Sequence, residues 1–220
     1  VRVFTSITCR IDAPDLYKIR QKGPLIVVSN HTGQIEIPLV FAQMQPRKVT
    51  AWAKIETWDN WFLHWVFNLW SVIPIRRGEA DINALKKAIR ALEEGYIFAL
   101  APEGTRNYTG ILRRALPGAV IVALHSGAPI MPVVHWGGEK FLLNIKHLKR
   151  TDFHIRVGES FKLKTEGIKV TSEMRQQIVD EMMYRIAALL PEEYRGEYHD
   201  MEKATSQFLE PVSLSIKSTG

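Results

Sequence analysis

The chain has 220 residues, enough for one domain that buries roughly 70% of its unfolded surface, and its 46% hydrophobic and 24% charged composition excludes a disordered polypeptide. No apolar run reaches the roughly 20 residues that span a bilayer, and Cys9, the single cysteine, excludes an intramolecular disulfide and a cysteine-cluster metal site. The net charge of +6 is uneven, +9 over residues 1–150 and −3 over 151–220, so the front part suits an anionic partner: phosphate, nucleic acid or an acidic membrane surface.

In chain order, residues 1–12 alternate through Val3, Thr5, Ile7, Cys9 and Ile11, which predicts a strand, and 15–24 form a polar connection. Leu25-Ile26-Val27-Val28 is a continuous apolar run expected as a buried strand. It stops at Ser29-Asn30-His31, and a short helix is expected over 35–44. A further strand follows at 49–53. Residues 58–70 then repeat Trp58, Trp61, Phe62, Trp65 and Leu69 at helical spacing, apolar nearly all round. Such a helix is read as core. The alternative is a helix lying on a membrane, because five of the six tryptophans fall between 52 and 70.

A strand is expected at 72–75, then an amphipathic helix over 82–94 capped by Asp81 and closed at Gly95. Another strand over 96–101 leads into Pro102-Glu103-Gly104-Thr105-Arg106. A small helix begins at Gly118, a strand covers 130–134, and 137–152 is a basic loop. Segments 154–157 and 160–163 read as a hairpin around Gly158, Ser172 as the cap of a helix over 173–190, and the Ser/Thr-rich tail from 204 as a flexible end. Strands alternating with helices predict an α/β fold, one domain over 1–203 with a mostly parallel central sheet flanked by helices.

In a parallel sheet the carboxyl ends of the strands share one edge, where ligands bind. Three strand ends deliver His31 with Glu36, Arg76 with Arg77, and Glu103 with Arg106. A histidine oriented by a carboxylate is a general base. Spacing alone does not single out His31, since His147 with Asp152 and His154 with Glu159 repeat it; the strand-to-helix setting does. Guanidinium groups suit phosphate because the planar fork donates two bonds at once. Gly104 lets the backbone approach a ligand.

Four ordered blocks carry a resemblance. They are Asn30-His31-x4-Glu36, Val72-Ile73-Pro74-Ile75-Arg76-Arg77, Pro102-Glu103-Gly104-Thr105-Arg106 and Ala128-Pro129-Ile130-Met131-Pro132-Val133. Together they resemble the motifs of the glycerolipid acyltransferases, the 1-acyl-glycerol-3-phosphate (lysophosphatidic acid) acyltransferases above all, over about residues 20–165. The resemblance implies that His31 is the base and Glu36 its orienting partner. It implies that Arg77, Glu103, Gly104, Thr105 and Arg106 hold the acceptor's glycerol and phosphate, and that Pro129, Ile130 and Pro132 line the apolar side of the pocket. Glu36 stands where Asp is common in that family, Ser71 where Gly is usual and Ala101 where Phe is frequent.

The expected reaction is acyl transfer from an acyl-CoA or acyl-carrier-protein thioester to the hydroxyl of a lysophospholipid, giving phosphatidic acid, with no metal and no cofactor. A different lysolipid acceptor or a thioester or lipid hydrolase is the alternative, although no Gly-x-Ser-x-Gly elbow is present. A non-catalytic membrane-binding protein is the third reading. Nucleic acid is not expected as a partner: there is no zinc finger, RNP-like aromatic block or basic helix. The expected place is the cytoplasmic side of a membrane, bound peripherally to its anionic surface, with an anchor upstream of Val1 left open.

Overall fold

The computed structural model describes residues 2–20, 22–32, 36–76 and 81–213, with backbone alone at 2–4, 36–38 and 62. A helix, α1 (Arg2–Thr8), precedes a short strand, β1 (Cys9–Asp12). The period-two pattern over 1–12 therefore gives a strand only in its last four residues, where β7 (Thr151–Val157) lies alongside to complete the hydrogen bonding. The connection that follows is a 3-10 helix, Leu16–Arg20, with Leu16 and Ile19 buried.

The apolar run forms β2 (Leu25–Val28), buried at every residue. After it come α2 (Glu36–Gln43), β3 (Val49–Lys54), α3 (Trp61–Leu69), β4 (Ile73–Ile75), α4 (Ile82–Glu93) and β5 (Ile97–Leu100). The second half adds α5 (Gly118–Ser126), β6 (Ile130–Trp136), α6 (Phe141–Lys146), β7, β8 (Phe161–Leu163), α7 (Ser172–Ala187) and β9 (Leu209–Pro211).

Among the described residues the nine strands form one sheet, ordered β1-β7-β6-β2-β5-β3-β4, with β8 paired to β6 and β9 to β8. The five strands β6-β2-β5-β3-β4 are parallel. The fold is the expected mixed α/β domain. β2 reads as continuous apolar sequence because both its faces are covered. Ile26 and Val28 pack with Phe98 and Ile130 on the side of α4, α5 and α7, whereas Leu25 and Val27 pack with Leu39 and Met131 on the side of α2. Each such fully buried side chain contributes roughly 1.5–3 kcal/mol, so the strand that carries His31 is a firm support.

Four more local expectations change, besides residues 137–152, where α6 and the first residues of β7 replace the expected loop. The segments around Gly158 are not a hairpin: β7 runs antiparallel to β6, and β8 pairs with β6 and β9. The cap of α7 is Thr171, whose hydroxyl accepts the Met174 N–H at 3.3 Å, one residue earlier than Ser172. The segment from 204 does not fray over 205–212. The buried carboxylate of Glu181 accepts from Thr205 Oγ1, Gln207 N and Phe208 N, and Phe208 and Leu209 are buried.

The fourth concerns α3. Phe67 is buried and Trp70, just after the helix, lies 5.5 Å from Phe41, which anchors one side. The other side faces outward: Trp61, Trp65 and Leu69 are 82%, 62% and 66% exposed. The helix is a surface element with an uncovered aromatic stripe. Apolar residues all round it do not say which of them are buried.

Candidate active site

The carboxyl end of β2 continues into Ser29, Asn30, His31 and Thr32, of which Asn30 and Thr32 are buried and His31 is half-buried. The peptide on the amino side of His31 is held by Glu103. Its Oε1 accepts the His31 N–H at 3.1 Å, and its Oε2 accepts the Arg113 N–H at 3.2 Å. The His31 carbonyl in turn accepts the Asn107 N–H at 2.7 Å. Burial pushes the Glu103 carboxyl above its ordinary range, and the two N–H groups pull against that shift.

Glu103 therefore reaches the site through the backbone of the histidine, and both its oxygens are already engaged by protein. That differs from a place among the acceptor-holding side chains. Glu103 is the third residue of a turn closed by the Gly104 N–H to the Ala101 carbonyl at 3.0 Å, with Pro102 at the second position. Gly104 has φ +70, and a Cβ there would stand 2.8 Å from Leu116 Cδ1. The left-handed φ favours glycine, whereas the exposed end of the Leu116 side chain can move aside.

Asn107 fixes the loop that returns from this turn. Its side chain donates to the Ile111 carbonyl and accepts from Thr109 N and Oγ1. On the opposite flank, the Asn30 side chain pairs with the main chain of His135 in β6, donating to its carbonyl at 2.8 Å and accepting its N–H at 3.1 Å.

A cavity of about 400 Å³ opens beside these residues, within the size range of small-molecule sites. Its polar wall holds Ser29, Asn30, His31, His135 and Arg76. The rest is apolar and comes from both faces of the sheet. Val27, Val40, Phe41, Met44, Ala51 and Ala99 lie on the α2 side, and Trp52, Ile75, Leu100 and Leu116 lie around the edge.

Of the residues expected from sequence, His31, Glu103 and Gly104 meet here. Thr105 is exposed, Arg106 is half-buried, and neither is among the residues lining the cavity. Pro129, Ile130 and Pro132 do not line it either. They are buried within β6 and just before it, where the Pro129 carbonyl accepts the Ile26 N–H, and the apolar wall is supplied instead by Val40 and Phe41 of α2, by Met44 and by residues of β2, β3, β4 and β5. Arg77 and the side chain of Glu36 lie outside the described residues.

Asn30 and His135 are the residues missed as structural partners of His31. The signal for His135 is a polar residue inside the otherwise apolar run Ile130-Met131-Pro132-Val133-Val134 and Trp136. Among the described residues no group of three or more His, Cys, Asp and Glu could hold a metal ion.

A histidine fixed at the carboxyl edge of a parallel sheet, beside a largely apolar chamber, places the protein among α/β enzymes. Comparison with known proteins narrows this. The chain belongs to the Acyltransferase family, whose model matches residues 10–136. It is 29% identical over 171 residues to a protein of Borreliella burgdorferi named 1-acyl-sn-glycerol-3-phosphate acyltransferase, covering 74% of this chain and 68% of that one.

It is 26% identical over 121 residues to the chloroplastic 1-acyl-sn-glycerol-3-phosphate acyltransferase BAT2 of Brassica napus, covering 54% of this chain. There the match spans only 35% of the relative's length. The crystal structure of the 1-acyl-sn-glycerophosphate (LPA) acyltransferase of Thermotoga maritima shares the fold, with a TM-score of 0.64 at 23% identity, covering 86% of this chain and 74% of that one.

Proposed function

We propose that the protein transfers a fatty acyl group from a thioester, acyl-CoA or acyl-carrier protein, to the free hydroxyl of a lysophospholipid, with 1-acyl-glycerol-3-phosphate as the acceptor. The product is phosphatidic acid, an intermediate of phospholipid synthesis. The observation that carries this reading is His31, held by its backbone at the mouth of an apolar cavity of about 400 Å³. His31 takes the hydroxyl proton as that oxygen attacks the thioester carbonyl. The C–S bond then breaks, and the proton passes to the departing thiolate.

Glu36 orients the imidazole and stabilises its charged form. Arg76 in the cavity wall, with Arg77 and Arg106, supplies cations for the acceptor phosphate. The apolar lining takes an acyl chain. Positioning of this kind is worth several kcal/mol of the barrier, about 7–11 in well-oriented cases.

An acceptor with one acyl chain resides in lipid, so the enzyme works at an anionic membrane surface, peripherally and on the cytoplasmic side. Among the described residues no helix is long and apolar enough to cross a membrane. Exposed apolar residues collect in connections that leave the carboxyl edge: Trp61 and Trp65 after β3, Leu116 after β5, and Leu142, Leu143 and Leu148 after β6. Exposed Arg113, Arg114, Lys140, Lys146 and Lys149 lie among them, which suits anionic head groups.

The test is product analysis with one acyl-CoA and a panel of lysophospholipids. Phosphatidic acid as the main product supports the reading. A different diacyl product would reassign the acceptor, and free fatty acid at the same rate with and without acceptor would mark a hydrolase.

A further inference from the structure

The histidine that the family motifs leave aside, His135, grips the chain on both sides of His31. It is 1% exposed and stacks on Phe153 with ring centroids 5.7 Å apart and planes 13° from parallel, which fixes the orientation of its ring. Its Nε2 lies 2.9 Å from the Asn30 carbonyl oxygen, and its Nδ1 lies 3.4 Å from Thr32 Oγ1. A carbonyl only accepts, so Nε2 carries the proton. In the neutral ring Nδ1 then accepts from the Thr32 hydroxyl.

The Asn30 carbonyl and the His31 N–H belong to one peptide unit. His135 holds its oxygen and Glu103 holds its N–H at 3.1 Å. The next carbonyl, that of His31 itself, is held by the Asn107 N–H at 2.7 Å. With both peptide planes around its Cα fixed, His31 keeps only its side-chain torsions.

The ladder between β2 and β6 ends at Val28 opposite Pro132. Beyond that point the Asn30 amide continues the pairing against the His135 main chain, and the imidazole carries the hold one residue further. The Asn30 carbonyl also accepts from Ser29 Oγ at 3.2 Å, but that donor sits on the same segment and anchors nothing to β6. Buried as they are, these bonds act in a low-dielectric setting where each is stronger than at the surface.

Resting on the acyl-transfer reading of His31, we propose that His135 is a positioning residue of the reaction, setting the backbone from which His31 reaches the acceptor hydroxyl. Although it also borders the cavity, in this role it acts through the backbone of His31 and not on either substrate. Its removal therefore lowers kcat and leaves both KM values in place.

The test uses two substitutions in the whole chain. His135→Phe keeps the ring volume and the stack on Phe153 but makes neither polar bond. His135→Gln returns an N–H near the position of Nε2. The expected result is a fall in kcat of about ten- to a hundredfold for His135→Phe, the range of a misplacement of about 1 Å, with both KM values within about twofold. His135→Gln should recover a large part of that loss, with the two variants melting alike.

If His135→Phe does not fold, Thr32→Val removes one of the two bonds in an isosteric side chain and should lower kcat several-fold on its own. A folded His135→Phe with parental kcat, a change confined to KM, or a Gln variant no better than Phe would overturn the positioning role. The unaltered protein is assayed first: absence of acyl transfer there overturns the reading of the site, whereas an active parent with an indifferent His135→Phe overturns only this inference.

Discussion

Replacing Glu103 by glutamine separates two roles that sequence alone cannot tell apart. The carboxylate accepts the N–H groups of His31 and Arg113 at 3.1 and 3.2 Å and is 5% exposed. Glutamine keeps one acceptor oxygen and turns an NH₂ group toward the other N–H, so one buried donor loses its partner. That costs about 1–3 kcal/mol, or about 2–12 °C of melting temperature for a chain of this size.

The sign with pH also follows. Burial places the folded pKa of Glu103 above its ordinary value of 4.5, so in the window above that value the folded state binds more protons than the unfolded one. Parental stability then falls as pH rises through the window, and Glu103→Gln lacks that fall. In activity, the loosened His31 backbone should lower kcat by about ten- to a hundredfold with little change in acceptor KM. Steady-state kinetics and thermal melts across pH 4–8 measure all three. An acceptor KM that rises while kcat and melting temperature stay parental would mean that Glu103 binds substrate, and the backbone argument would be wrong.

Three further outcomes are expected. Trp61→Ala and Trp65→Ala remove exposed rings, so stability should change by no more than about 0.5 kcal/mol while pelleting with anionic vesicles weakens; unaltered pelleting would remove α3 from the membrane contact. Gly104→Ala should cost about 1–2 kcal/mol from its φ of +70, and combining it with Leu116→Ala should not recover that cost, because the strain lies in the backbone; full recovery would place it in the side-chain clash. Glu181→Ala strands the Thr205 hydroxyl and two N–H groups, so hydrogen exchange at the Phe208 amide should speed up well before the core opens, and unchanged protection there would show that β9 is held by its strand pairing alone.

The sequence reading reached the sheet and the position of His31 because both depend on local patterns. Four apolar residues ending in Ser-Asn-His form a strand buried on both faces, and the residue after it must lie at the carboxyl edge. What it could not reach depends on partners distant in the chain. Asn30 and His135 are 105 residues apart, and Glu103 meets His31 across 72. Glu103 with Arg106 reads as a strand-end pair suited to the acceptor, and only the fold turns its carboxylate toward two backbone N–H groups.

The same limit explains α1 and α3. Alternation over 1–12 fits a strand, but only residues 9–12 find a neighbour in β7. Tryptophans at helical spacing fit a core helix, yet nothing among the described residues buries the Trp61 and Trp65 side. Pro129, Ile130 and Pro132 are expected at the pocket only through the family resemblance, but they are buried before and within β6, where Pro132 pairs with Val28, and α2 together with strands β2 to β5 supplies the lining.

The central claim is acyl transfer by His31, and the most direct measurement is thiol release from acyl-CoA with and without 1-acyl-glycerol-3-phosphate, run side by side on the parent and on His31→Ala. Release that requires the acceptor, matches phosphatidic acid formed one for one, and disappears in a His31→Ala protein that melts like the parent is the expected result. Parental turnover in the folded His31→Ala protein would contradict the account.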